Sequence, residues 1–459
     1  MRAERTNTRR NTTTKAAPVH RLPEMAHHPV PEVALLRALG SLGPYVALRN
    51  HDVVAHLATG GDVDLFVPDP EDAERRLVAE LGAPAYVARR SYVTGLFYEW
   101  GNVDLLPSLE WRGAKYLDGT TVLDERVLSP SGIPRPRVAH EALVSWFSSL
   151  LWGGFFKPRY RDVILEAVRE DGDELARVLR AAVGKRWGNR LWLCASQGEP
   201  EESELWANRL RRALLRRALA RTPLQTVAGR LRFYVAEVRL HLNPPLPWLA
   251  VLGPDGSGKS TLLAGLREQW PQSLGLVHTH HLRPHRLNRH NASPGPVVDP
   301  HGLPPRGTLT SVAVLLFVIL DWWIGYWTQI VRERAKHGVV VFDRHLLDVL
   351  VDPLRYRYGG PSWVARAACR IVPRPDLIVV LDAPPVVVQA RKQEVTRSES
   401  ERQSLAYRRL AAEVPGAHLV DAAVAPERLL ETVMTIMRRQ LEDATARSQA
   451  ATVAEARRA

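Results

Sequence analysis

An α/β fold built on a parallel sheet is predicted for the C-terminal half of the chain by three observations. Apolar runs at Trp248–Leu252, Gly338–Phe342 and Leu377–Leu381 have the unbroken hydrophobicity of strands covered on both faces. Helical stretches separate them. A glycine-rich bend at 253–258 joins the first run to the helical segment Thr261–Trp270, the strand, turn and helix order of a parallel α/β unit. This sheet with flanking helices is preceded by a small α/β domain and a helical domain.

Taken in order, residues 1–25 are rich in Arg, Thr and Pro, lack an apolar run and read as a disordered basic tail. Residues 26–125 form the small α/β domain, with alternation at Tyr45–Leu48, Val63–Val67 and Val103–Leu106 and a helical stretch at Glu71–Leu81. Residues 126–243 are dense in Leu, Ala, Arg and Trp without strand alternation, hence helical. Asn243-Pro-Pro-Leu-Pro247 breaks that pattern, because consecutive prolines cannot continue a helix. The second α/β domain spans 244–440, and 441–459 reads as a tail that frays from about Asp443.

With 459 residues and 24% charged residues the chain excludes a single small module and wholesale disorder. Two cysteines, Cys194 and Cys369, cannot build a disulfide framework and fit a reducing cytoplasm. The net charge of +13 is local: residues 1–21 contribute +5, and nine arginines against Glu237 give 209–240 a charge of +8. No specific nucleic-acid partner is expected. The most apolar window, Ser311–Leu320, is too short to cross a bilayer and is closed by Asp321, so Leu309–Val331 reads as a buried helix and no transmembrane segment is predicted.

Gly253-Pro-Asp-Gly-Ser-Gly-Lys-Ser260 fits the G-x-x-x-x-G-K-[ST] pattern in its proper context, which makes the sheet that of a P-loop NTPase. Gly253, Asp255, Gly256, Ser257, Gly258, Lys259, Ser260 and Thr261 are expected to line a nucleotide. Lys259 would reach the β- and γ-oxygens, Ser260 would ligate Mg²⁺, and the loop amides would cradle the anion. Asp343, ending a strand before Arg344 and His345, is the candidate carboxylate for the metal. Asp382 ends another strand and reads more simply as a solvated strand end or helix cap. The segment Ala390–Arg402 carries charges of both signs, either as a solvated helix face or as a lid whose arginines close over a phosphoryl group.

The loop, the Leu315-Leu316-Phe317 helix, Asp343-Arg344-His345, Leu381-Asp382-Ala-Pro-Pro385 and the arginine-bearing segment stand in the order of the thymidylate kinase family, which residues 248–440 resemble. The resemblance implies ATP and Mg²⁺, with Asp343 and Arg344 serving the metal and the acceptor's phosphate. It also implies that the cation of phosphoryl transfer comes from Arg391, Lys392, Arg397 or Arg402, since the loop has no internal basic residue. The acceptor half departs from the family. His280-His281-Leu-Arg283-Pro284 replaces its second-strand motif, with only Arg283-Pro284 aligning loosely. Asp321 stands where the family carries arginine, and Asp348 where it carries serine. Arg283, Asp321 and Arg344 are the candidate acceptor contacts, and the chain is closer to divergent thymidylate-kinase-like proteins. His278, His280, His281, His285 and His290 read as a polar loop rather than a zinc site.

Asp62 and Asp64, two apart on a strand, share a face, and Asp104 lies on a second strand-like run. Three such carboxylates suit divalent metal ions. With that pattern, residues 40–115 resemble the nucleotidyltransferase superfamily of DNA polymerase β, although Leu48-Arg-Asn-His51 stands where the family holds its triphosphate. The arginine-rich helix Leu205–Ala220 is amphipathic and reads as packing between domains, with an anionic partner as the alternative. The expectation is therefore a cytoplasmic ATP- and Mg²⁺-dependent kinase acting on a small-molecule acceptor, with a homodimer allowed. Two alternatives stay open: a nucleotidyltransferase with a regulatory P-loop domain, and a non-catalytic ATP-binding adaptor.

Overall fold

The computed structural model describes residues 30–49, 57, 61–285, 287, 301–392 and 395–456. The expected basic tail and His290 lie outside them. The first unit begins with α1 (Glu32–Ser41) and the strands β1 (Val46–Ala47) and β2 (Asp62–Phe66). Helix α2 (Pro70–Leu81) starts where sequence chemistry says it should: the Asp69 carboxylate accepts from the amides of Glu71 and Asp72, and Pro70 needs no donor at the first helical position. Strands β3 (Tyr86–Arg89), β4 (Thr94–Tyr98) and β5 (Gly101–Leu106) complete a mixed sheet of order β1-β2-β5-β4-β3. Within it β2 and β5 are parallel, with Asp64 beside Asp104.

A hairpin of β6 (Leu109–Trp111) and β7 (Ala114–Leu117) leads to α3 (Gly119–Asp124) and a small ladder of β8 (Val127–Leu128) and β9 (Pro134–Arg135). A run of helices follows, beginning later than the expected boundary at 126 because β8 and β9 lie in 127–135: α4 (Val138–Phe147), α5 (Arg161–Glu170), α6 (Gly172–Ser196, broken at Gly184), α7 (Ala207–Arg221) and α8 (Pro223–Leu242). On α7, Leu210, Leu214 and Ala218 are buried, while Arg211, Arg217 and Arg221 donate to main-chain carbonyls rather than to carboxylates. Packing is thus the role of that helix, with a different partner for its arginines than its sequence suggests.

The second sheet is wholly parallel, in the order β11-β12-β10-β13-β14. In chain order its parts are β10 (Trp248–Leu252), α9 (Lys259–Gln269), β11 (Leu276–His281), α10 (Thr308–Gly325) with a wider turn at Tyr326–Ile330, and α11 (Val331–Ala335). There follow β12 (Gly338–Asp343), α12 (Asp348–Val351), α13 (Ser362–Ile371), β13 (Leu377–Asp382), α14 (Pro385–Arg391), α15 (Arg397–Glu413), β14 (Ala417–Asp421) and α16 (Pro426–Ala456). The three apolar runs are its three inner strands, each buried along five consecutive residues. The edge strands β11 and β14 join the short apolar pairs Leu276-Val277 and Leu419-Val420 to His and Asp, so neither shows an unbroken apolar run.

Two expectations need correcting. The segment beyond Asp443 is not a separate tail: α16 runs on to Ala456, with Leu441 buried and Thr445 donating to the Ala85 carbonyl at 3.4 Å. Nor is the apolar helix buried all round. Ser311, Leu315, Asp321 and Trp322 pack inward, but Leu316, Leu320 and Trp327 are exposed. Thr308–Ala335 is long and apolar enough by length and composition to cross a membrane, because the helical stretch continues past the Asp321 that was taken to close it.

The two sheets share an interior. Tyr86 of β3 stacks on Phe97 of β4 at 4.3 Å between ring centres, His337 lies 4.9 Å from Phe97, and both aromatic residues join the core that covers one face of the second sheet. Burial holds the His337 imidazole down to about 4. Arg90 donates to Glu237 at 2.9 Å and to the Ala335 carbonyl at 2.9 Å, and Arg438 pairs with Glu99.

Candidate functional site

The second sheet changes direction at β10: the chain leaves it toward β11 and β12 on one side and β13 and β14 on the other. In such sheets the crevice beyond the strand ends at this point is where ligands bind. The bend at 253–258 occupies it. Gly256 and Gly258 take φ values of +84° and +96°, which L side chains rarely adopt. A Cβ at Gly253 would stand 2.9 Å from the Leu381 carbonyl and 3.0 Å from Ser257 Oγ, so the loop also needs glycine for want of space. Ser257 Oγ is buried without a hydrogen-bond partner among the described residues. Ser260 and Thr261 are exposed in the first turn of α9, whose backbone donors face the bend's open end.

Lys259 is buried and donates to the carbonyls of Gly253 at 2.8 Å and Pro254 at 2.7 Å, with the Asp255 carboxylate 3.6 Å away. Burial, helped by the Arg344 charge, lowers it to about 8 against the pull of nearby carboxylates. Asp255 is the meeting point of three cations: Lys259, Arg344 and Arg355. Arg344 is a non-glycine residue held at φ +77°, a conformation found where surroundings over-determine the backbone. Its guanidinium also lies 3.5 Å from Asp348, which accepts from Tyr407 Oη at 2.8 Å. Burial pushes the Asp348 carboxyl up, and Arg344 and Tyr407 oppose it.

Asp343 sits beside the bend, in register with Val251 of β10 and His281 of β11. One carboxylate oxygen is 3.4 Å from His281 Nδ1 and the other is buried with no partner among the described residues. Burial raises its carboxyl, but the His281 hydrogen bond and the Lys259 and Arg344 charges outweigh that and hold it low. The bend, Arg355 and the α14–α15 connection line a narrow crevice that includes Asp255 and Gln403.

Other sequence candidates lie elsewhere. Asp382 is paired by both oxygens to Arg408 at 3.0 Å. Asp321, a candidate acceptor contact, is fully buried and accepts from Arg283 at 2.8 Å and from the amides of His285 and Leu287. Its carboxylate anchors the segment after β11, and Arg283 answers its charge. Arg391 donates to the Ala422 carbonyl, Arg397 pairs with Glu401, and Arg402 binds Glu399 and the Val351 carbonyl. None of the three arginines is placed on Asp255 or the bend, and the Glu pairs of Arg397 and Arg402 are those of a solvated helix face, whereas Lys392, the fourth of these cations, lines the crevice beside the bend. Arg355 is there as well. Sequence reasoning missed it because no motif spacing links it to Asp255, 100 residues earlier. The histidines also disperse: His280 pairs with Glu333 at 2.7 Å and His281 with Asp343, while His285 uses its amide on Asp321.

On the first sheet, Asp62, Asp64 and Asp104 do come together. Each presents a carboxylate oxygen within 4.8 Å of the others. The Arg49 guanidinium is engaged by Asp64, by Ser148 at 3.0 Å and by Tyr160 Oη at 2.6 Å. Burial and the charges of Asp64 and Asp62 push the Asp104 carboxyl up to about 8. His51 lies outside the described residues.

No protein-family model matches the chain. A probable thymidylate kinase of Pyrobaculum aerophilum is 26% identical over 206 residues, 42% of this chain and 97% of that protein. This likeness supports a kinase-like region and suggests nucleotide-kinase-like phosphotransfer. Neither finding speaks for a nucleotidyltransferase relationship of the first sheet.

Proposed function

We propose that the chain is a kinase that moves the γ-phosphoryl group of ATP to a nucleotide or another small acceptor, such as a sugar or sugar phosphate. One observation carries this reading: three cations, Lys259, Arg344 and Arg355, converge on the tip of a glycine-rich bend beside the orphaned oxygen of Asp343. The similarity to a probable thymidylate kinase supports the same reaction class.

The residues fit the substrate and the metal that such a reaction needs. The bend offers backbone donors, a helix N-terminus and a buried hydroxyl without a partner to a polyphosphate. Ser260 and Asp343 would hold Mg²⁺, which when bound neutralises charge shared between the β- and γ-phosphates. Lys259 exchanges its two carbonyl partners for phosphate oxygens. Arg344 and Arg355, both now on Asp255, are drawn to the acceptor's anionic or hydroxyl end and align it with the phosphoryl group. The cleft beside α14 and α15 limits water.

The decisive measurement is ADP formation from ATP and Mg²⁺ with nucleoside monophosphates, sugars and sugar phosphates offered in turn. At least one acceptor is expected to raise the rate well above the acceptor-free background. ADP release that no acceptor changes would overturn the reading in favour of an ATP-driven adaptor.

A second reading has its own observation, the convergent trio of Asp62, Asp64 and Asp104. We infer that it holds a divalent cation. Mn²⁺ is expected to raise the melting temperature of the wild type and not of Asp62→Asn with Asp64→Asn. The effect should grow as pH rises through about 8, since below that Asp104 keeps a proton the cation must displace. An equal shift in both proteins would remove the trio as the site.

A further inference from the structure

The charge excess of 209–240 is not absorbed by the kinase reading, and the structure shows where part of it stands. Helix α8 (Pro223–Leu242) has two apolar faces. Thr226, Gly229, Phe233 and Leu240 are buried, and Gly229 packs so closely on Gly113 of the β6–β7 hairpin that an added Cβ would stand 2.8 Å from its Cα. At about 100° per residue, Leu224, Val227, Leu231, Tyr234 and Val238 form a second stripe on the opposite side. That stripe faces solvent: Leu224 is 85% exposed, Leu231 65% and Val238 56%. Arg230 flanks it on one side, and Arg232 and Arg239 flank it on the other.

We propose that this outer face of α8 docks on the surface of an anionic lipid bilayer. The argument is charge complementarity. A second copy would bring two arginine-flanked stripes together, each helix carrying Arg230, Arg232 and Arg239 against Glu237 alone, a like-charge contact that an apolar seam of five residues would have to offset. A nucleic acid would match the charge but leave leucine and valine against phosphate. An acidic bilayer satisfies both, taking the aliphatic stripe below the headgroups while the arginines on either flank reach the lipid phosphates. A neighbouring helical stretch also exposes apolar residues. Arg90 ties Glu237 of α8 to the Ala335 carbonyl, and the stretch ending there exposes Leu320, Trp323 and Trp327, the residue types that settle at a membrane interface.

The test is sedimentation of the full chain with vesicles of phosphatidylcholine alone and of phosphatidylcholine mixed with phosphatidylglycerol. Binding is expected to the mixed vesicles only and to weaken with added salt. Leu231→Asp with Val238→Asp should lower the bound fraction ~10-fold or more, and Arg232→Ala with Arg239→Ala should weaken it and reduce its salt dependence. All four positions are exposed, so circular dichroism and melting should match the wild type; should the aspartates disturb the fold, Leu231→Gln with Val238→Gln takes their place. Absence of binding to acidic vesicles overturns the proposal, as does binding that none of these variants changes. A dimer in light scattering that the Leu231→Asp, Val238→Asp variant splits, or retention of a DNA duplex without vesicle binding, overturns it in favour of those partners.

Discussion

Lys259→Ala is expected to lower ADP formation with any accepted substrate by at least ~100-fold, the usual scale for removing one donor aimed at developing charge. The ammonium group is buried, and its two bonds are to the loop's own carbonyls, Gly253 and Pro254, so in the free protein it is stored at the place where it acts. Its loss strands those carbonyls, at ~1–3 kcal/mol if no water replaces it, yet Asp255 keeps Arg344 and Arg355. Catalysis should therefore fall far more than stability. A pH series adds a second readout. Because Lys259 titrates near 8 in the free protein, ATP affinity should weaken as pH rises through that value in the wild type and show no such inflection in the variant. Calorimetric titration with ATP and a coupled ADP assay measure both, and full turnover by Lys259→Ala would remove the bend from the mechanism.

Arg344→Met is expected to destabilise the fold by ~3–5 kcal/mol, the scale for leaving a buried charge without its partner. Arg344 is 5% exposed and stands between Asp255 and Asp348, the latter 1% exposed. With the guanidinium gone, Asp255 retains Arg355 and Lys259, but Asp348 keeps, among the described residues, the hydroxyls of Tyr407 at 2.8 Å and Tyr356 at 3.5 Å and the more distant charges of Lys259 and Arg355. The stranded group is therefore Asp348, and adding Asp348→Asn should restore part of the loss. Urea unfolding of the wild type, the single variants and the double variant gives the coupling directly. Additive losses would show that the two charges do not stabilise each other.

The parts of this molecule legible in its sequence are those where local chemistry decides the structure. Unbroken apolar runs become inner strands because nothing else buries five consecutive large residues. The bend is legible because its glycines, lysine and serine are contiguous. So is the pairing of Asp64 with Asp104, since alternation on two strands puts both on one face. What stayed hidden depends on distant segments. Arg355 acquires its meaning from Asp255, and Asp321 from Arg283 and two amides on the segment after β11. A largely solvated strand such as β14 leaves only the short pair Leu419-Val420, too brief to mark a strand. The apolar helix was misjudged for a related reason: composition reports how greasy a helix is, whereas the fold decides which side meets neighbours.

The stack of Tyr86, Phe97 and His337 means that the proline-rich break at 243–247 is a seam in the chain but not in the packing. A protein severed there would present two raw hydrophobic wounds instead of two working halves.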